Sequence, residues 1–190
     1  MMLPGRPWVF DLIELKDMPA HILRHSLMVR KVAVTLAMFV ARKRPIDIDL
    51  VDRASLLHDI CKADAIRSGG DHARQGQRLM EAMGYPNIGA VIGQHVRLKG
   101  LTLNEAMLVN YADKRVMHEQ VVTLSRRFVD LLERYGTTDE RRGRILSQFA
   151  FTLEVERQVS DASGLDPLWL NSLNLTLSDD ALDGVHGIRR

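Results

Sequence analysis

The sequence predicts an all-α protein, an irregular helical bundle. Three observations carry this. Apolar residues recur at three- and four-residue spacing along most of the chain, alternating strand patterns are scarce, and helix start and stop signals punctuate it repeatedly. Residues 1–10 read as an irregular lead-in, with a short helix over 10–17. Pro19 suits the first turn of a long helix to about Lys43, with Ile22, Val29, Val32, Ala33, Leu36 and Val40 as its apolar stripe. Pro45 ends that helix, and Arg42-Lys43-Arg44 then falls at its C-terminus, where cations meet the negative end of the dipole. Asp47 is a good N-cap for a second helix to about Lys62. Ser68-Gly69-Gly70 reads as a loop, after which Asp71 caps a helix that stops at Gly84. Pro86 opens the next, to about Val96. Thr102 and Glu105 have capping-box spacing for a helix that reaches Asp113 and beyond. A further helix ends at Arg134-Tyr135-Gly136, and Thr137 with Glu140 repeats the capping box for a helix to about Ser160. Gly164 and Pro167 break the pattern, and the polar tail from Ser178 is expected to be mobile.

The length, 190 residues, suits one domain with a short appendage and a substantial core. Net charge is +2, from 26 basic and 24 acidic residues, and the basic ones are scattered, so no nucleic-acid partner is expected. Cys61 is the only cysteine, which rules out an intrachain disulfide and favours a cytoplasmic location. The first residues lack the charged-then-apolar layout of a secretory leader. The most apolar run, Val32 to Ala41, is too short to span a membrane, and no membrane partner is expected. The sequence holds no Gly-rich phosphate loop, no GxSxG elbow and no HExxH.

The informative string is Ala54-Ser-Leu-Leu-His58-Asp59-Ile-Cys-Lys62. An adjacent imidazole and carboxylate can share one metal ion. His25 precedes the pair, and His72, His95 and Asp113 follow it. Neutral imidazole and carboxylate suit borderline and hard divalent metals, and this set favours Fe, Mn, Co, Ni or Zn without choosing among them. Helical spacing places four of these groups on apolar faces. His25 lies four before Val29, His58 four after Ala54, His95 four after Val91 and Asp113 four after Val109. His72 instead opens its helix beside the Gly-Gly loop. Taken alone, each histidine reads more readily as a hydrogen-bonded core residue, and Asp113 equally as the cap of a neighbouring helix. Four polar groups in one core need a shared explanation, because each costs about 1–3 kcal/mol if left unpaired. A metal centre between facing helices supplies it.

With these residues in place the sequence resembles the HD superfamily of metal-dependent phosphohydrolases. The family pattern is a His, a His-Asp pair and a distant Asp on separate helices, matched in order by His25, His58-Asp59 and Asp113. The apolar run Leu56-Leu57 into His58-Asp59-Ile60, and the following Lys62, match as well. His72 in Asp-His-Ala-Arg-Gln-Gly and His95 in Ile-Gly-Gln-His resemble the two-metal subset, which includes hydrolases of symmetrical dinucleoside tetraphosphates and some cyclic-dinucleotide phosphodiesterases. Tyr111-Ala-Asp113-Lys is similar to the former group. Cys61 stands where many members carry glycine, and Val-Arg-Leu-Lys-Gly after His95 differs from the usual stretch of the tetraphosphate hydrolases.

The resemblance covers about residues 20–135 and implies an HD domain over 19–136; outside it the chain reads as a lead-in over 1–18, a helical extension over 137–177 and a tail over 178–190. The resemblance also implies hydrolysis of a phosphate ester or anhydride, in a nucleotide or dinucleotide, by water activated between one or two divalent metals. His25, His58, Asp59 and Asp113 would hold the first ion, and Asp59 would bridge to a second on His72 and His95. Asp59 and Lys62 are the catalytic candidates. Lys62, Arg97, Lys99, Lys114 and Arg115 are candidates for binding the phosphorylated small molecule, each also readable as a surface charge. Two other readings stay open: a mononuclear nucleotidase, and a non-catalytic module that binds a nucleotide or a protein partner. A homo-oligomer is compatible with all three.

Overall fold

The computed structural model describes residues 2–175, and the expected tail over 178–190 lies outside the described residues. The architecture is all-α, as the periodicity requires. In chain order the helices are α1 (Arg6–Leu15), α2 (Ala20–Val40), α3 (Ile48–Leu57), α4 (Lys62–Ser68), α5 (His72–Ala82), α6 (Pro86–Ile92), α7 (Glu105–Arg115), α8 (Leu124–Tyr135) and α9 (Asp139–Ser163). A two-stranded antiparallel hairpin, β1 (Val116–Met117) and β2 (Gln120–Val121), separates α7 from α8, and a 3₁₀ segment covers Pro167–Leu175. The hairpin is too short to show as alternation in the sequence.

Helix α2 is the central post. Ile22, Val29, Val32, Ala33, Leu36 and Val40 are all buried, and α3, α7, α9 and the hairpin pack around it. Among the described residues no helix is long and apolar enough to cross a membrane. Residues 6–10 are helical rather than part of an irregular lead-in. Helix α1 begins at Arg6 because Pro7 occupies its first turn and Val9, Leu12 and Ile13 give it a buried face. Arg6 also reaches Asp52 of α3 at 2.9 Å. Asp52 is almost wholly buried and takes Arg30 from α2 and Arg53 at 2.6 Å each. Burial would raise its pKa, but hydrogen bonds from Arg6, Arg30 and Arg53 and the Arg30 charge hold it below the usual carboxylate range.

Two helix ends depart from expectation, and both carry site residues. The helix opened by Asp47 stops at Leu57, not Lys62. Residues 58–61 form tight turns in which Ile60 N–H donates to Leu57 O and Lys62 N–H to Asp59 O. In a continuous helix, successive side chains diverge by about 100°, so a turn serves an adjacent pair that must face one cluster. Helix α6 stops at Ile92, and two further i→i+3 bonds carry the chain to His95. The proposed capping boxes also shift. Asn104, not Thr102, caps α7 by accepting from Met107 N–H, and the Glu105 carboxylate accepts from Asp47 N–H instead. Thr138, not Thr137, caps α9, which runs on to Ser163 before Gly164 closes it at φ +73°.

Helices α5 and α6 form a close antiparallel pair, and glycine makes the approach possible. A Cβ on Gly76 would stand 2.9 Å from Ile92 Cγ2, and one on Gly89 would stand 2.8 Å from Gln77 O. The pairing brings the start of α5, with His72, beside the turn after α6, with His95.

Candidate metal centre

Three helices and the turns after two others deliver six polar groups to the middle of this bundle. His25 comes from the second turn of α2, His58 caps the end of α3, and Asp59 follows in the turn. His72 is the first residue of α5, His95 follows α6, and Asp113 lies in the last turn of α7. The four imidazoles form a row, with ring centroids 5.5 Å apart for His25 and His58, 5.0 Å for His58 and His95 and 4.9 Å for His95 and His72.

The donors divide into two triads. In each, one ligand atom per residue lies within 4.8 Å of the others: His25, His58 and Asp113 in the first, and Asp59, His72 and His95 in the second. Asp113 Oδ1 is 3.2 Å from His25 Nε2 and 3.7 Å from His58 Nε2. Asp59 Oδ1 is 3.3 Å from His72 Nε2 and 3.5 Å from His95 Nε2. The other Asp59 oxygen, Oδ2, is 3.5 Å from His58 Nε2, so this carboxylate spans the two triads.

Backbone carbonyls fix which ring nitrogen faces the cluster. His25 Nδ1 donates to His118 O at 2.8 Å, His58 Nδ1 to Ser55 O at 2.8 Å and His95 Nδ1 to Ile92 O at 2.7 Å. A carbonyl can only accept, so Nδ1 carries the proton in all three. In a neutral ring Nε2 then offers a lone pair inward, the arrangement of metal-ligating histidine. Lone pairs and carboxylate oxygens at 3.0–3.7 Å repel unless a proton or a metal cation lies between them. His58 Nε2 and Asp59 Oδ1 are buried and have no hydrogen-bond partner, at a desolvation cost of about 1–3 kcal/mol each. The donor set and these orphaned atoms fit a divalent metal.

The electrostatics agree. Burial would raise Asp59, but His58, His72, His95 and Lys62 hold it well below the usual carboxylate range. Burial likewise opposes ionisation of Asp113, and Lys114, His25 and His58 overcome it. His95 is pushed down by burial, against the pull of Asp59. His58 is also lowered by burial, but the charges of Asp59 and Asp113 outweigh this and raise it.

The expected phosphate-binding cations are placed unequally. Lys62 opens α4 and its Nζ meets Asp59 Oδ2 at 2.6 Å, with the side chain 39 % exposed at the rim. Lys114 is buried, donating to Asp113 Oδ2 at 2.7 Å and to His95 O at 3.0 Å, and so braces both triads. Arg97 is not brought to the cluster. It lines an open cavity of about 680 Å³ against α9, with Asn110, Arg144, Gln148 and Phe151. Lys99 is exposed on the same loop.

Arg115 is a correction. It is fully buried and points into the junction of α7, α9 and the 3₁₀ segment, so it cannot meet a substrate. Its Nε donates to Val122 O, Nη1 to Tyr111 Oη and Glu156, and Nη2 to Pro167 O and Asn171. Two contributors were not legible beforehand. His118, at the hairpin tip with φ +56°, supports His25 through its carbonyl, a backbone role that no residue type signals. Asn110 holds the carbonyls of Gln94 and His95 from α7.

Helical bundles build metal sites from side chains on facing helices, and these two His/Asp groups could hold metal ions. The sequence pattern of the HD domain family matches residues 22–117, a span that holds all six candidate ligands. The chain belongs to that family, whose members bind divalent metals and are in general metal-dependent phosphohydrolases. No curated protein and no solved structure gives a significant match.

Proposed function

We propose that the chain hydrolyses a phosphate ester or anhydride bond, in a nucleotide or dinucleotide, at a two-metal site. The observation that carries this is the pair of triads joined through Asp59, with three imidazoles held Nε2-inward by backbone carbonyls. His25, His58 and Asp113 would hold one ion and His72 and His95 the other, with the Asp59 carboxylate between them. When bound, the ions supply Lewis acidity, acidifying water and neutralising phosphoryl oxygens. Three protein ligands at the second ion, Asp59, His72 and His95, would leave room for water and substrate, as a catalytic site needs.

The remaining steps belong to the chain's own side chains. Lys62 fixes the Asp59 carboxylate through Oδ2, which leaves Oδ1 turned to His72 and His95. Its partly exposed ammonium is also the cation best placed to receive a phosphate oxygen at the rim. Lys114 keeps Asp113 ionised and oriented from below. Arg97 and Lys99 are held on the loop after His95, and they would serve only a substrate that extends beyond its reacting phosphate.

The mononuclear reading has one observation in its favour. His72 is the most exposed of the four imidazoles, with 26 % of its side chain accessible, and it sits in a first helical turn where a polar residue is at home. Against it stands the orphaned Asp59 Oδ1, which His72 and His95 face together.

The test is a hydrolysis screen of the purified protein over mononucleotides, dinucleoside polyphosphates and cyclic dinucleotides, each with Mn²⁺, Fe²⁺ and Co²⁺. Turnover of at least one class that EDTA abolishes is expected. No turnover of any class with all three metals would refute the proposal.

A further inference from the structure

We propose that the cavity between the 96–98 loop and α9 binds a nucleoside monophosphate group. The inference goes beyond the hydrolytic reading, and it names a second site. The cavity has a volume of about 680 Å³. That lies within the ~300–1,000 Å³ usual for small-molecule sites. None of the six candidate metal ligands lines it. One wall is Asn110 with the loop after His95, inside the matched family span, and the other is α9, outside that span. Gln148 Nε2 of α9 donates to Val96 O at 2.9 Å, which ties the loop to the helix and holds the two walls together.

The lining answers each part of a nucleotide. Val96 from the loop and Phe151 from α9 both leave apolar surface uncovered here, 38 % and 36 % exposed. A base stacks its flat face on such an aromatic ring. Asn110 spends both N–H groups on the carbonyls of Gln94 and His95, at 3.0 and 2.8 Å. Its Oδ1 has no partner among the described residues and is not sealed from solvent. That oxygen can only accept, which suits the amino group of adenine. Charge supplies the rest. Arg97 is exposed and has no ion-pair or hydrogen-bond partner among the described residues. Arg144 Nη2 lies 3.0 Å from Glu140 Oε1, with the two side chains 70 % and 78 % exposed. Two guanidiniums against one carboxylate leave the lining net positive, and a guanidinium fork matches phosphate oxygens. A bare phosphate would leave Val96 and Phe151 in water, whereas a base and a phosphate on one molecule use the whole lining. The group has two sources: a free nucleotide, or the half of a dinucleotide away from its reacting phosphate.

The experiment titrates adenosine monophosphate into metal-loaded wild type, Arg97→Gln, Phe151→Ala and His58→Ala, and maps the photocrosslinks of its 8-azido derivative by mass spectrometry. Arg97→Gln and Phe151→Ala are each expected to weaken binding about tenfold, while His58→Ala retains it. Crosslinks are expected on the 96–98 loop or the facing turns of α9. No binding to the wild type, or unchanged affinity in both cavity variants, overturns the inference. So does binding lost only in His58→Ala, which places the nucleotide at the metal centre. A wild type that binds in the cavity but hydrolyses nothing upholds the inference while the hydrolytic reading fails. Kinetics separate the two sources, and either result upholds the site. If the occupant is the far half of a dinucleotide, both cavity variants raise KM for dinucleotides and not for mononucleotides. If it is a free nucleotide, adenosine monophosphate changes the rate at which the wild type, but neither cavity variant, hydrolyses a small aryl phosphate.

Discussion

Replacing Arg115 with methionine separates a structural arginine from a substrate-binding one. Arg115 is fully buried and donates to two backbone carbonyls, Asn171, Tyr111 and Glu156, so it ties α7 to α9 and to the 3₁₀ segment. Methionine fills similar volume but strands the carbonyls of Val122 and Pro167 and leaves Glu156 without its cation. Breaking a buried charged pair costs about 3–5 kcal/mol. Glu156 is 20 % exposed and keeps the Tyr111 hydroxyl as a donor, which favours the lower end. In a domain of this size each kcal/mol moves the melting temperature by about 2–4 °C, so a fall of about 6–20 °C is expected. Arg115→Lys should recover little, since one ammonium cannot reach partners spread around a planar fork. The assay is a thermal melt of the metal-loaded proteins with KM measured well below the transition. A variant that melts like the wild type but binds substrate poorly would refute the structural assignment.

Other outcomes follow from the same contacts. Asp59→Ala should abolish hydrolysis while the far-ultraviolet circular dichroism of a helical fold persists, and retained turnover in the metal-loaded variant would exclude a bridging Asp59. Asp52→Asn should cost about 3 kcal/mol near neutral pH, since it removes the carboxylate that pairs Arg6, Arg30 and Arg53. Because the folded-state pKa of Asp52 is depressed, its contribution is present above the ordinary carboxylate pKa and is lost as pH falls through the folded value. The gap between wild type and variant in denaturant melts should therefore close in acid, and a pH-independent gap would contradict the ion-pair account. Adding metal at about 100 times its Kd should stabilise the chelated protein by about 2.7 kcal/mol, or about 5–11 °C, and an unchanged melt would mean that the triads do not bind it.

The fold was legible wherever an amphipathic face was long. The α2 stripe and the Asp47 and Asp71 caps could be read because each depends on residues a few positions apart. The candidate ligands were legible for a related reason: at 3.6-residue spacing a polar residue on an apolar face stands out. The i→i+3 turns at 58–61 and 93–95 were missed because, over a single turn, three-residue and 3.6-residue spacing cannot be told apart in the sequence. His95 was thus brought to the cluster from a turn rather than from a helix. Arg115 was misread because its partners Glu156, Pro167 and Asn171 lie 41 to 56 residues further along the chain, and only the packing of α9 and the 3₁₀ segment reveals them. His118 carries no spacing signal at all.

Metal stoichiometry tests the central claim most directly, because two triads spanned by the Asp59 carboxylate are the feature on which the functional reading stands. The measurement is elemental analysis of anaerobically purified protein, for the wild type, His58→Ala, His72→Ala and His95→Ala. The account predicts about two ions per chain in the wild type, matching the two triads, and a fall toward one in each variant, because each removes a ligand from only one triad. One ion in the wild type, unchanged in His72→Ala and His95→Ala, would contradict it and leave the mononuclear site.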